Sequence, residues 1–200
     1  MNLIKNMGFR NKLILLLIVP IVGLLFFSLF AIQTKFNASN EMSDVEQMVQ
    51  MSVEISALVH EVQKERGTTA GFLASKGENF STEMKAQRRL TDEKKKNLDT
   101  FLVEFDQAIL ASNILRDVLR DFDKISSIRE KVSAFNIAGK DAIGFYTGLN
   151  TKFLATVSIV SKKSTNASIG SMTTSYVNFL QGKERSGIER AVLSNVFASN

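Results

Sequence analysis

From Leu13 to Ile32 the chain reads LILLLIVPIVGLLFFSLFAI, a run of 20 residues without one charged side chain. At about 1.5 Å per helical residue this run is roughly 30 Å long, which matches the hydrocarbon core of a bilayer. Backbone in lipid must satisfy its own hydrogen bonds, so the run is expected to be helical. Pro20 and Gly23 lie within it, where a kink is tolerated. Lys5, Arg10 and Lys12 precede the run and Lys35 follows it. That asymmetry places the N-terminus in the cytoplasm and the rest of the chain outside. A cleaved signal peptide would have an apolar region of about 7–15 residues and an A-x-A-like site. Here the run is longer, and Ala31-Ile32-Gln33 is a poor cleavage site. The expected organisation is a cytoplasmic tail over 1–12, a transmembrane helix over 13–34 and an extracytoplasmic domain over 35–200, in a bacterial inner membrane.

Pro20 is the only proline. The remainder is long enough for one domain with a real core, and a proline-free stretch of that length favours long helices over turn-rich β structure. No segment alternates cleanly with period two, so the fold class expected is all-α, an up-and-down helical bundle following the membrane helix. There is no Cys, which excludes disulfides, cysteine zinc sites and iron–sulfur clusters. The net charge of +5 includes three basic residues before the apolar run and no acidic residue before Glu41. The rest is nearly balanced, and the basic segment from Lys85 to Lys96 is interspersed with Glu and Asp. It reads as a solvated helix face, and no nucleic-acid partner is expected.

Apolar and small residues at Val45, Met48, Ser52, Ile55, Val59, Val62, Arg66, Thr69 and Leu73 form a 3–4 seam, which predicts a first helix continuing from the membrane run to a stop near Ser75-Lys76-Gly77. Further helices are expected over about 82–111, 114–138 and 140–164. Gly139 would end the third, and Asn166 to Gly170 would form a turn. A last helix begins near Ser171, with a seam through Met172, Tyr176, Phe179, Lys183, Ser186, Arg190, Leu193 and Phe197.

Both seams contain an arginine. An inward guanidinium is costly unless paired, and two of them, Arg66 and Arg190, would repel unless something anionic lay between. Small neighbours (Gly67, Ala70 and Gly71; Ser186, Gly187 and Ala191) leave room for a compact cavity, and Thr68, Thr69 and Ser186 offer hydroxyl donors. Guanidinium groups suit planar or tetrahedral oxyanions. The structural alternative is that Arg66 pairs with Glu65, Glu61 or Glu189, or that the arginines reach out to water along their apolar stems. The single His, His60, has no metal-ligating company, and no phosphate loop, dinucleotide fingerprint or H-E-x-x-H motif occurs. No catalytic constellation, metal or cofactor is therefore expected.

Two stretches resemble the nitrate- and nitrite-sensing domain of bacterial receptors. The first matches through His60, Glu61, Gln63, Glu65, Arg66, Gly67, Ala70, Gly71, Phe72 and Leu73. The second matches through Lys183, Glu184, Gly187, Glu189, Arg190 and Ala191. The resemblance implies a helical domain of stacked bundles that holds a nitrate or nitrite ion between helices by Arg66 and Arg190. Thr69 and Ser186 would assist, with Arg185 a weaker candidate. It also implies a chemotaxis-transducer-like receptor that is a homodimer, coupled to a downstream signalling domain or histidine kinase pathway, of which this chain is an N-terminal piece. The competing reading is a helical interaction or stalk module with no small ligand.

Overall fold

A chain so poor in breakers folds mostly into helices joined by short turns. The computed structural model describes residues 8–104, 113–161 and 167–198, and among these there is no strand. The helices are α1 (Phe9–Ala74), α2 (Ser81–Glu104), α3 (Asn113–Phe122), α4 (Ile125–Ser133), α5 (Gly139–Ser161) and α6 (Ala167–Ala198). The chain divides into two compact units, one up to Val45 and one from Glu46 onward.

In the first unit, the Phe9–Ser39 part of α1 is long and apolar enough to cross a membrane, and none of its most apolar stretch is buried in the protein. Leu16, Leu24, Phe27 and Phe30 are among its exposed side chains.

In the second unit, the predicted seam of α1 is the spine of the core. Ile55, Val59, Val62, Arg66 and Thr69 are all buried. Around it pack Leu98 and Leu102 of α2, Leu115, Val118 and Phe122 of α3, Tyr146, Phe153 and Val157 of α5, and Val177 and Leu180 of α6. A second cluster of Phe72, Met84, Val132 and Ala142 closes the far end.

The first helix stops where its sequence predicts. Gly77 N–H donates to the Phe72 carbonyl at 2.9 Å, and Gly77 has φ +88°, the left-handed cap that glycine adopts without a Cβ penalty. The α4 cap uses Phe135 at φ +54° instead. The strain of a left-handed aromatic residue is offset by its ring, which stacks on Phe72 at 5.1 Å.

Three expectations need correction. The third helix is two: α3 and α4 are separated at Asp123-Lys124, where Lys124 N–H donates to Asp121 and Lys124 Nζ pairs with the Asp121 carboxylate at 2.6 Å. Gly139 begins α5 rather than ending a helix, and Ala167 to Gly170 is already helical, because a lone glycine weakens a helix without forbidding it. The predicted ends of the second and fourth helices, and Asn166, lie outside the described residues.

Candidate functional site

The polar residues of the first motif, His60 to Arg66, occupy about two turns of α1, and between them they reach α2, α4, α5 and α6. Glu65 is fully buried. It accepts from Arg129 Nε and Nη2 of α4, both at 2.8 Å, and from the Tyr146 hydroxyl of α5 at 2.8 Å. Burial and the Glu65 charge push the Tyr146 hydroxyl well above its ordinary pKa. Burial opposes the Arg129 charge, yet Glu65 and Asp92 outweigh it and hold that guanidinium above its usual value. Glu61 accepts from Gln87 of α2 at 2.6 Å and pairs with Lys64 at 2.9 Å. Burial raises this carboxyl, but the bonds from Gln87 and Lys64 prevail and leave it below its ordinary value.

Arg66 is 1% exposed. Its Nη1 donates to Glu184 Oε1 of α6 at 2.5 Å and to Thr147 Oγ1 of α5 at 2.9 Å. The second Glu184 oxygen accepts from Gln63 at 2.7 Å and, more distantly, from Asn150 at 3.4 Å. Gly187 lets Arg66 sit close to α6: a Cβ on it would lie 2.8 Å from Arg66 Nη2, so the guanidinium would have to shift. Arg66 Nε and Asn150 Oδ1 are buried without a hydrogen-bond partner among the described residues. Thr69 is fully buried beside the Tyr146 hydroxyl, outside good hydrogen-bond geometry.

In front of this cluster, between α1, α6 and the start of α2, lies an open cavity of about 520 Å³. Gly67, Thr68, Gly71, Phe80, Gly187 and Ala191 line it, and His60, Lys64, Lys183 and Arg190 supply its basic groups. Lys183 Nζ donates to His60 Nδ1 at 3.0 Å. Burial and then Lys183 lower the His60 pKa. Burial lowers that of Lys183, with Glu61 opposing and Arg190 adding to the shift. Lys64 is neutralised by Glu61, whereas Lys183 and Arg190 form no ion pair among the described residues. The rim therefore carries uncompensated positive charge.

The sequence-predicted site residues fare differently. Arg66 and Thr69 are both buried, behind the cavity rather than among its lining residues. Arg190 is not on an inward seam; it is exposed at the cavity rim. Ser186 is exposed and does not line the cavity, and Arg185 lines a separate groove with Thr151 and Leu154. The cause is a register one position off. The buried face of α6 is Val177, Leu180, Glu184, Gly187 and Ala191, while Met172 and Phe179 are 71% and 68% exposed. The group facing Arg66 is thus a carboxylate, and the repulsion expected between two inward arginines does not arise. Sequence reasoning gave no role to Glu184, Arg129, Tyr146 or Gln87. Glu184 stood within the second motif, so a signal for it existed. Arg129 lay on a segment with no motif.

An all-helical domain with a basic cavity between motif-bearing helices has the form of a small-ligand sensor. The family described as nitrate and nitrite sensing matches residues 57–200, and the chain belongs to that family. A nitrate regulatory protein from Klebsiella oxytoca is 28% identical over 150 residues, covering 72% of this chain and 37% of that protein. The solved structure of the NasR transcription antiterminator superposes with a TM-score of 0.71 at 25% identity, over 76% of this chain and 42% of that one. This chain thus spans under half the length of these relatives.

Proposed function

We propose that the domain from Glu46 onward senses nitrate or nitrite at the junction of α1 and α6, with Arg190 and Lys183 attracting the ion and Arg66 with Thr69 forming the inner end of the site. The observation that carries this reading is the convergence of both sequence motifs on one basic cavity with unneutralised cations at its rim. Such a cavity concentrates anions, and guanidinium groups select those with paired oxygens. The match to a sensing family supports recognition rather than catalysis as the role.

The apolar, exposed Phe9–Ser39 segment supports a membrane anchor, because that much bare hydrocarbon is stable in lipid and not in water. The basic residues before it support a cytoplasmic N-terminus and an extracytoplasmic sensor domain. On this reading the chain is the ligand-binding part of a homodimeric transmembrane receptor of the chemotaxis-transducer type.

The test is a thermal-shift titration of the full chain in detergent micelles with nitrate, nitrite, chloride and sulfate. Stabilisation by nitrate or nitrite that follows mass action, and is absent with chloride and sulfate, is the expected result. The second reading, a helical interaction module, is favoured by one fact: Glu184 already neutralises Arg66 internally. It requires that none of the four anions shifts the melting temperature.

A further inference from the structure

The group seated on Arg66 has the shape of the ligand the domain is proposed to sense. A carboxylate, a nitrate and a nitrite each present two oxygens in a planar fork with one negative charge, and a guanidinium binds such a fork side by side. In the structure both Glu184 oxygens face Arg66, at 2.5 Å from Nη1 and 3.4 Å from Nη2. The pair is almost fully buried, at 1% and 7% side-chain exposure. Gln63 and Asn150, two further donors, complete the seat around the same carboxylate, and Arg66 Nε is left as an unused buried donor.

We infer that Glu184 is a tethered surrogate for the ligand: it fills the oxyanion seat of Arg66, Gln63 and Asn150 until a planar monoanion, entering past Gln63 and Gly187 from the basic cavity that these two line, displaces it. This rests on the nitrate and nitrite reading and adds to it a competitor and a basis for selectivity.

Three consequences follow from the geometry. A tetrahedral dianion such as sulfate matches neither the planar seat nor the single charge that Glu184 vacates. The intrinsic affinity of the seat is masked, because a side chain held on the same fold competes at high effective concentration. Release of Glu184 also frees α6 from Arg66 and Gln63 on α1 and from Asn150 on α5. The exchange of one anion for another is therefore a change in how three helices are held together, which gives the ligand different contacts in two states.

The test titrates nitrate, nitrite, formate, acetate and sulfate into the full chain in detergent, as wild type, Glu184→Gln, Glu184→Ala and Asp117→Asn. Glu184→Gln keeps the volume and one acceptor for Arg66 but gives up the charge. It is expected to bind nitrate roughly tenfold more tightly than wild type. Glu184→Ala is expected to be stabilised by formate and acetate more strongly than wild type, with no gain for sulfate. Asp117→Asn removes an exposed carboxylate paired with Arg120, neither of which lines the cavity, and is expected to leave nitrate affinity within about twofold.

If wild type binds nitrate and Glu184→Gln binds it equally or more weakly, Glu184 positions Arg66 and the surrogate idea is overturned while the sensing reading stands. Equal tightening in Asp117→Asn also overturns it, because the effect is then general electrostatics. Should neither wild type nor Glu184→Gln respond to nitrate or nitrite, the sensing reading fails and the inference with it. Glu184→Gln keeps the test decisive if Glu184→Ala does not fold.

Discussion

At the scale of single residues, Arg66 and Arg190 share a motif context but not a physical role, and substitution separates them. Arg66 is buried against Glu184. Arg66→Ala strands a buried carboxylate, and losing one partner of a buried pair costs about 3–5 kcal/mol. Arg190 is exposed at the rim with no ion pair among the described residues. Arg190→Ala is expected to change stability by no more than about 0.5 kcal/mol while removing most of the nitrate-induced rise in melting temperature. Urea unfolding with and without nitrate measures both. A large loss of stability in Arg190→Ala, or its full response to nitrate, would remove Arg190 from the site. The spacing places Arg66 on the seam of α1 but does not reveal how completely the side chain is enclosed, so the stability cost of its removal is legible only in the structure.

At the scale of elements, α1 and α6 show what the amino-acid pattern could and could not say. In α1 the 3–4 seam from Ile55 to Thr69 coincides with the buried face, because that face mixes large aliphatic residues with few rivals elsewhere on the helix. In α6 the pattern is deceptive. Met172, Tyr176 and Phe179 are the largest apolar residues and lie on one stripe, yet the stripe facing the core is one residue further on and carries smaller groups: Val177, Glu184, Gly187 and Ala191, with Leu180. Burial there is decided by closeness to α1. Gly187 is small so that Arg66 can approach it, and a search for bulk selects the wrong face. The register correction predicts unequal costs at adjacent positions. Leu180→Ala removes a buried side chain and is expected to cost about 2–4 kcal/mol. Phe179→Ala is expected to stay within about 0.5 kcal/mol, although phenylalanine is larger. Urea unfolding of the two variants decides the register, and a greater loss at Phe179 would restore the stripe read from sequence. The Glu65–Arg129–Asp92 network joining α1, α4 and α2 was beyond the sequence for a different reason. Its partners are 64 and 37 residues apart, and no local periodicity links them.

At the scale of the whole molecule, the charge of the cavity ties ligand binding to pH through His60. The groups around it are Lys183, Glu61, Lys64 and Arg190. Burial, and then mainly Lys183, hold its folded pKa below the ordinary value of about 6.5. The unfolded chain therefore takes up the His60 proton at a higher pH than the folded one does. The contribution from neutral His60 is complete above about pH 6.5 and is lost as pH falls from there through the lower folded pKa. An anion seated on Lys183 and Arg190 cancels part of the positive field, raises the folded pKa of His60 and restores part of what acid removes. By linkage, the same coupling makes the anion bind more tightly as the medium becomes more acid. The nitrate-induced rise in melting temperature is thus expected to grow between about pH 7.5 and 5.5 in wild type. In His60→Gln, which cannot titrate, that growth should be absent while nitrate binding at pH 7.5 persists. An unchanged pH dependence in His60→Gln would place the anion away from this rim. Loss of binding at pH 7.5 would instead make His60 a direct donor to the ion.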